Sequence, residues 1–170
     1  DQRGYNLSEK PDEIAAYSLD ELVGDVVGLI DHAGAGRALV VGHDWGGAVA
    51  WWLGAKHPER VQRLAILNVP HPIVMGRTIR SSWTQRRKSW YMYAFQIPRL
   101  PEFGVRRNNW RRLVDGMQGH SVPGTFSDAD MDRYREAWAQ PGAIAGMINW
   151  YRAMWQARPE RLESVRIKVP

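Results

Sequence analysis

Ala38-Leu39-Val40-Val41-Gly42-His43-Asp44-Trp45-Gly46-Gly47-Ala48-Val49-Ala50 is the stretch whose reading decides the fold. It opens on an apolar run, passes through a cluster of glycine, histidine and aspartate, and continues into an alanine-rich amphipathic segment. That order predicts a strand, a sharp turn and a helix. Leu39, Val40 and Val41 form the kind of uninterrupted run that is buried on both faces in a parallel sheet, and Gly42 gives the backbone freedom for a tight turn. Asp44 falls at the apex. Gly46 and Gly47 carry no Cβ, so the helix can begin close against the strand and leave the side chain at position 44 projecting beyond the sheet.

This pattern resembles the nucleophile elbow of the α/β-hydrolases, whose usual form is G-x-S-x-G, with Asp44 standing where serine is usual. The exchange alters the chemistry. A serine must lose a proton before it attacks, whereas a carboxylate is already anionic at neutral pH and can attack a saturated carbon directly. The product is an alkyl ester of the enzyme, which water then cleaves at the ester carbonyl with help from a histidine base. The oxyanion of that second step needs donors, and the backbone N–H of Trp45, near a helix N-terminus, is one. Within the fold, an elbow aspartate resembles the epoxide hydrolases and the haloalkane dehalogenases. The plainer reading of Asp44 is a helix cap.

Two later segments bear on the choice between epoxide and halide. Tyr91-Met92-Tyr93-Ala94-Phe95-Gln96-Ile97-Pro98 is similar to the Y-x-x-x-F-Q-x-P segment of epoxide hydrolases, and Asn149-Trp150-Tyr151-Arg152 to their N-W-Y-R segment. The resemblance implies that Tyr91 and Tyr151 point at the nucleophile, with Trp45 and Trp150 along the substrate pocket. Opening an epoxide generates an alkoxide, and two phenolic hydroxyls can bind and protonate it as charge develops. A halide leaving group needs no proton. Each tyrosine also fits a lid-packing aromatic whose hydroxyl meets a backbone carbonyl. Tyr93 is the rival to Tyr91, and the Phe-Gln-x-Pro spacing favours Tyr91.

The remaining sequence is read as scaffold. Asp1-Gln2-Arg3-Gly4-Tyr5 with Ser8 and Pro11 resembles the D-x-R-G-[YF]-G-x-S-x-x-P loop of these hydrolases, with Asn6 where glycine is usual. Ser18 and Glu21 suggest a capped helix whose apolar face is Leu22, Val26, Leu29 and Ile30. The elbow helix runs to His57, Pro58 ends it, and Val61 to Leu67 is the next buried strand. After Asn68-Val69-Pro70-His71-Pro72 the prolines halt the strand. Helices are then expected from about Ser82 to Phe95, around Asn109 to Gly116, from Ser127 to Trp138 and from Gly142 to Trp155. The resulting division is a partial core over 1–72, a helical lid over 73–161 and a re-entry into the sheet over 162–170, with further parts of the fold expected before and after.

Composition restricts the alternatives. The 170 residues are 44% hydrophobic and 24% charged, as in an ordinary globular domain. With no cysteine, disulfides and thiolate metal sites are excluded, and a cytoplasmic setting is compatible. The net charge of +5 comes mainly from arginines between Arg77 and Arg112, interleaved with Trp83, Trp90, Tyr91, Tyr93 and Trp110. This mixture can bind single-stranded nucleic acid, but no nucleic-acid module accompanies it, and an arginine-solvated helical lid accounts for it. No cofactor, metal, nucleic acid or membrane is expected as partner, only a small epoxide and water. Oligomeric state is not legible. His32, His43, His57, His71 and His120 give no convincing base, and the resemblance puts the base and its acid beyond Pro170. The expected activity is hydrolysis of an epoxide to a vicinal diol. A haloalkane dehalogenase using the same Asp44 ester and a non-catalytic receptor on the same scaffold are the alternatives.

Overall fold

The computed structural model describes residues 1–156 together with Ile167 and Val169, so the expected re-entry over 162–170 lies almost wholly outside the described residues. The described residues gather into two compact units, one of 18–90 with 154–156 and the other of 1–17 with 91–153.

The first unit is built on the elbow. Helix α1 spans Leu19–His32, strand β1 Ala38–His43, helix α2 Trp45–Lys56 and strand β2 Val61–Leu67. The strands pair in parallel, with Val40 opposite Leu64 and Gly42 opposite Ile66. One face of this pair lies under α2, where a Cβ on Gly54 would approach Leu64 Cδ2 to 2.9 Å. The other face differs from expectation, because Leu39 and Val41 are 67% and 68% exposed rather than buried on both sides. Alternation along the strand sets which residues lie there: Val40 and Gly42 point to α2, and their neighbours point to the face that α2 does not cover. α1 packs on α2, and the Trp52 indole N–H donates to Asp20 Oδ1 at 2.7 Å across that contact. Ser18 caps α1 by accepting from the Glu21 N–H at 3.4 Å. Leu22, Val23 and Ile30 are buried in α1, whereas Leu29, expected on the inner face, is exposed. At about 100° per residue, Leu29 lies two turns beyond Leu22 on nearly the same line of the helix, so the line is buried at its start and exposed at its C-terminal end.

Past β2, the prolines do not simply stop the chain. Helix α3 spans Pro72–Ser81, capped by His71 and opened by Pro72 in the first turn, where its missing N–H costs nothing. The single helix expected from Ser82 to Phe95 is split into α4, Trp83–Lys88, and α5, Trp90–Ala94. Ser89 separates them, buried, with its hydroxyl accepting from Gln85 Nε2 at 3.0 Å.

The second unit contains most of α5 and then α6 Leu100–Gly119, α7 Asp128–Ala139 and the greater part of α8 Ala143–Gln156. α6 is two pieces, since Arg107 is extended and Asn108, Asn109 and Trp110 all have positive φ. The expected helix near Asn109 matches the second piece, and the first was not anticipated. Asparagine tolerates the left-handed region, which makes the pair a natural break. Val114, Met131, Trp138, Ile144 and Ile148 form the core here, with Phe95, Trp110 and Phe126 packed around it. α7 starts on a reciprocal capping box between Ser127 and Asp130. The N-terminal loop joins this unit through Trp150, whose indole N–H donates to the Arg3 carbonyl at 2.9 Å. Asn6, at φ 43°, takes the left-handed conformation that asparagine can share with glycine.

Candidate active site

The turn between β1 and α2 is strained at its apex. Asp44 has φ 52° and ψ −123°, an arrangement that ordinary L-residues avoid and that persists only where its surroundings impose it. They do so from both sides. The Asp44 N–H reaches the Leu67 carbonyl at 3.4 Å, and its own carbonyl accepts from Gly47 and Ala48 at 3.0 and 3.1 Å. A Cβ on Gly42 would lie 2.5 Å from the Gly46 carbonyl oxygen, and one on Gly47 would lie 2.3 Å from Val69 Cγ1. Both contacts are too short for any side chain, so these glycines allow the helix to start against the strands. Although Asp44 occupies the cap position of α2, its side chain makes no capping hydrogen bond. The carboxylate is exposed at the C-terminal end of the sheet, and Trp45 begins the helix beside it.

At the same end of the sheet, the Asn68 amide nitrogen lies 3.4 Å from His43 Nε2, with Asn68 at φ 58°. Parallel register, which sets His43 opposite Leu67, creates this pair. The other histidines sit at helix boundaries. His57 follows α2 with Nδ1 3.4 Å from Glu59, and His120 follows α6 with Nδ1 2.8 Å from the Gly116 carbonyl. His71 caps α3 by accepting from the Ile73 N–H at 3.2 Å, and its ring meets Trp51 edge-on at 5.1 Å. His32 ends α1. Among the described residues, no cluster of three or more histidines and carboxylates is placed to hold a metal ion, and no helix is long and apolar enough to cross a membrane.

In the other unit, two residues sixty positions apart come together. The rings of Tyr91 and Tyr151 are 5.8 Å apart and nearly perpendicular. Phe95 lies against both, 5.8 Å from Tyr91 and 4.9 Å from Tyr151. Tyr91 keeps more than a third of its surface exposed. Trp150, expected along the substrate pocket, is fully buried, meets Tyr5 edge-on at 5.6 Å and donates its N–H to the Arg3 carbonyl. Sequence reasoning passed over Arg152, next to Tyr151, whose guanidinium donates to the Phe95 and Ile97 carbonyls at 3.0 Å and to Glu102 Oε1 at 2.7 Å. Only its place in the N-W-Y-R segment signalled it.

The sequence model of the α/β hydrolase fold family matches residues 1–136. The chain belongs to the α/β-hydrolase fold family. Among curated relatives, this α/β-hydrolase is 46% identical over 154 residues to the AB hydrolase superfamily protein YfhM of Bacillus subtilis, covering 91% of the present chain and 54% of that protein. Epoxide hydrolase 1 of Caenorhabditis elegans is 37% identical over 173 residues, covering 97% and 42%. The crystal structure of a Bacillus megaterium epoxide hydrolase in complex with an inhibitor superposes with a TM-score of 0.79 at 34% identity, covering 90% of this chain and 54% of that one. The chain thus spans about half the length of the curated relatives it matches.

Proposed function

We propose that the protein to which this chain belongs is an epoxide hydrolase with Asp44 as nucleophile. The observation that carries the reading is the apex itself: an aspartate forced to φ 52°, exposed, and making no capping bond that would justify the strain. The likeness to epoxide hydrolases supports the substrate class. One Asp44 oxygen attacks an epoxide carbon, the carbon–oxygen bond on that side breaks, and the departing oxygen takes a proton from Tyr91 or Tyr151. Water then adds to Cγ of the Asp44 ester, passing its proton to a base. The tetrahedral oxyanion is met by the Trp45 N–H, its collapse breaks the ester carbon–oxygen bond, the departing alkoxide takes the proton held by the base to complete the vicinal diol, and the proton left on the Asp44 carboxyl returns to the tyrosinate. The base and its orienting acid are assigned to parts of the longer protein outside this stretch. The isolated stretch should accordingly fail to turn over epoxides.

The test is mass spectrometry of the complete protein quenched within its first turnover of para-nitrostyrene oxide. A peptide containing Asp44, heavier by one epoxide, that returns to its original mass on longer incubation is the expected result, and Asp44→Ala should abolish it. An unshifted Asp44 during active turnover, or efficient release of halide from a bromoalkane in place of diol formation, would overturn the assignment.

A further inference from the structure

We infer that Arg152 is a positioning residue for the tyrosine pair, using its whole guanidinium to clamp the Tyr91 segment onto the helix that carries Tyr151. This rests on the reading of Tyr91 and Tyr151 as the donors to the epoxide oxygen. The clamp has four teeth. Nε donates to the Phe95 carbonyl at 3.0 Å, Nη2 to the Ile97 carbonyl at 3.0 Å, and Nη1 to both Glu102 Oε1 at 2.7 Å and Asn149 Oδ1 at 3.2 Å. Phe95 is one turn past Tyr91, donates its own N–H back to the Tyr91 carbonyl at 2.9 Å, and sets its ring against both phenols. Arg152 directly follows Tyr151. The guanidinium therefore joins the two backbones at points adjacent to the two rings. Gln96 adds a weaker strap, donating to the Met92 carbonyl at 3.0 Å and to the Tyr151 carbonyl at 3.4 Å.

Two features make this more than packing. The charged pair is largely withdrawn from water, with side chains only 12% and 17% exposed, so releasing Arg152 would leave Glu102 buried without its counter-charge. The contacts are also planar and fork-like, reaching carbonyls on two residues of a loop that has just left a helix. A lysine, with one nitrogen on a flexible stem, can keep the ion pair but cannot hold Phe95 and Ile97 together. Donors to a developing oxyanion act only within about 2.7–3.1 Å. Loosening the clamp should therefore act on the step in which the tyrosines give up hydrogen bonds.

The experiment is single-turnover kinetics of the complete protein with para-nitrostyrene oxide, resolving alkylation of Asp44 from hydrolysis of the ester. Arg152→Lys should slow alkylation roughly 10- to 100-fold, the scale of a misplacement near 1 Å, and leave ester hydrolysis within about threefold. In a Tyr91→Phe/Tyr151→Phe background, which is itself slow in alkylation, the same change should add less than about twofold, because the group it positions is gone. Glu102→Gln, which keeps the arginine, should slow alkylation roughly 3- to 10-fold and serves if the lysine variant does not fold. Arg152→Lys alkylating at the normal rate, or slowing alkylation equally with and without the two hydroxyls, would overturn the inference while leaving the tyrosine reading intact. Normal alkylation by the double phenylalanine variant would remove that reading and the inference together.

Discussion

At the scale of the residue, backbone strain falls on Asp44, the proposed nucleophile. Its φ of 52° and ψ of −123° belong to a region that glycine enters freely and aspartate does not. The carboxylate makes no capping bond in return. Asp44→Gly should therefore raise the stability of the complete protein by about 1 kcal/mol while eliminating the ester, an outcome that denaturant unfolding and adduct mass would read together. A capping aspartate predicts the opposite sign of stability change, so a clear destabilisation would mean that the side chain supports the helix. The position of this residue was legible because everything that determines it is local: an apolar run, an apex and glycines on both sides. The neighbours that matter elsewhere were less legible. Tyr91 and Tyr151 meet across sixty residues, and no periodicity reports such a contact. Arg152 was invisible as a clamp for the same reason, since two of its four acceptors are backbone carbonyls, which every sequence possesses, and a third, Glu102, lies fifty residues away.

At the scale of the element, fit decides. The start of α2 has no room for a Cβ at position 47, where one would stand 2.3 Å from Val69 Cγ1. Gly47→Ala should cost about 1–3 kcal/mol, the usual range for overpacking, and adding Val69→Ala should recover much of it. Equal losses in the single and double variants would show that the backbone rather than Val69 is the obstacle. The start of α3 depends on protonation instead. His71 accepts the Ile73 N–H through Nδ1, and burial lowers its pKa from the ordinary histidine value. A lowered folded pKa means that the unfolded chain binds the proton first. The contribution of this cap is thus complete above the unfolded value of about 6.5 and is lost as pH falls through the folded one. Protonation also removes the acceptor and puts a positive charge at a helix N-terminus, so all three effects share a sign. His71→Asn, a cap that does not titrate, should flatten the slope of stability against pH below neutrality. An unchanged slope would assign it to another group. α3 itself escaped the sequence reading because a proline can end one element or open the next, and the lone clue, a histidine as cap, is weak. The break at Ser89 and the left-handed Asn108–Trp110 step escaped it because neither interrupts the apolar pattern.

At the scale of the whole molecule, composition leaves open which faces of the sheet are covered, and the strand pair answers with an asymmetry. α2 covers the face bearing Val40, Gly42, Leu64 and Ile66, while Leu39 and Val41 on the opposite face keep about two-thirds of their surface exposed. Leu67, in register with His43 on the same side, is also exposed. Parallel sheets are covered on both faces, and the apolar run at Leu39–Val41 has the composition of a strand so covered. The chain spans about half of its relatives, so the remainder of the longer protein is proposed to lie over this face. One substitution tests that with opposite signs in two settings. In the isolated stretch, Val41→Lys should reduce self-association, because it breaks an exposed apolar patch and places a charge where another sheet would dock. In the complete protein it should cost about 3 kcal/mol or more, since the ammonium would be buried without a partner. Light scattering on the stretch and denaturant unfolding of the whole protein read the two arms. A complete protein that tolerates Val41→Lys without loss would mean that this face is open to solvent, and the sheet would then be one-sided in a fold that ordinarily sandwiches it between helices.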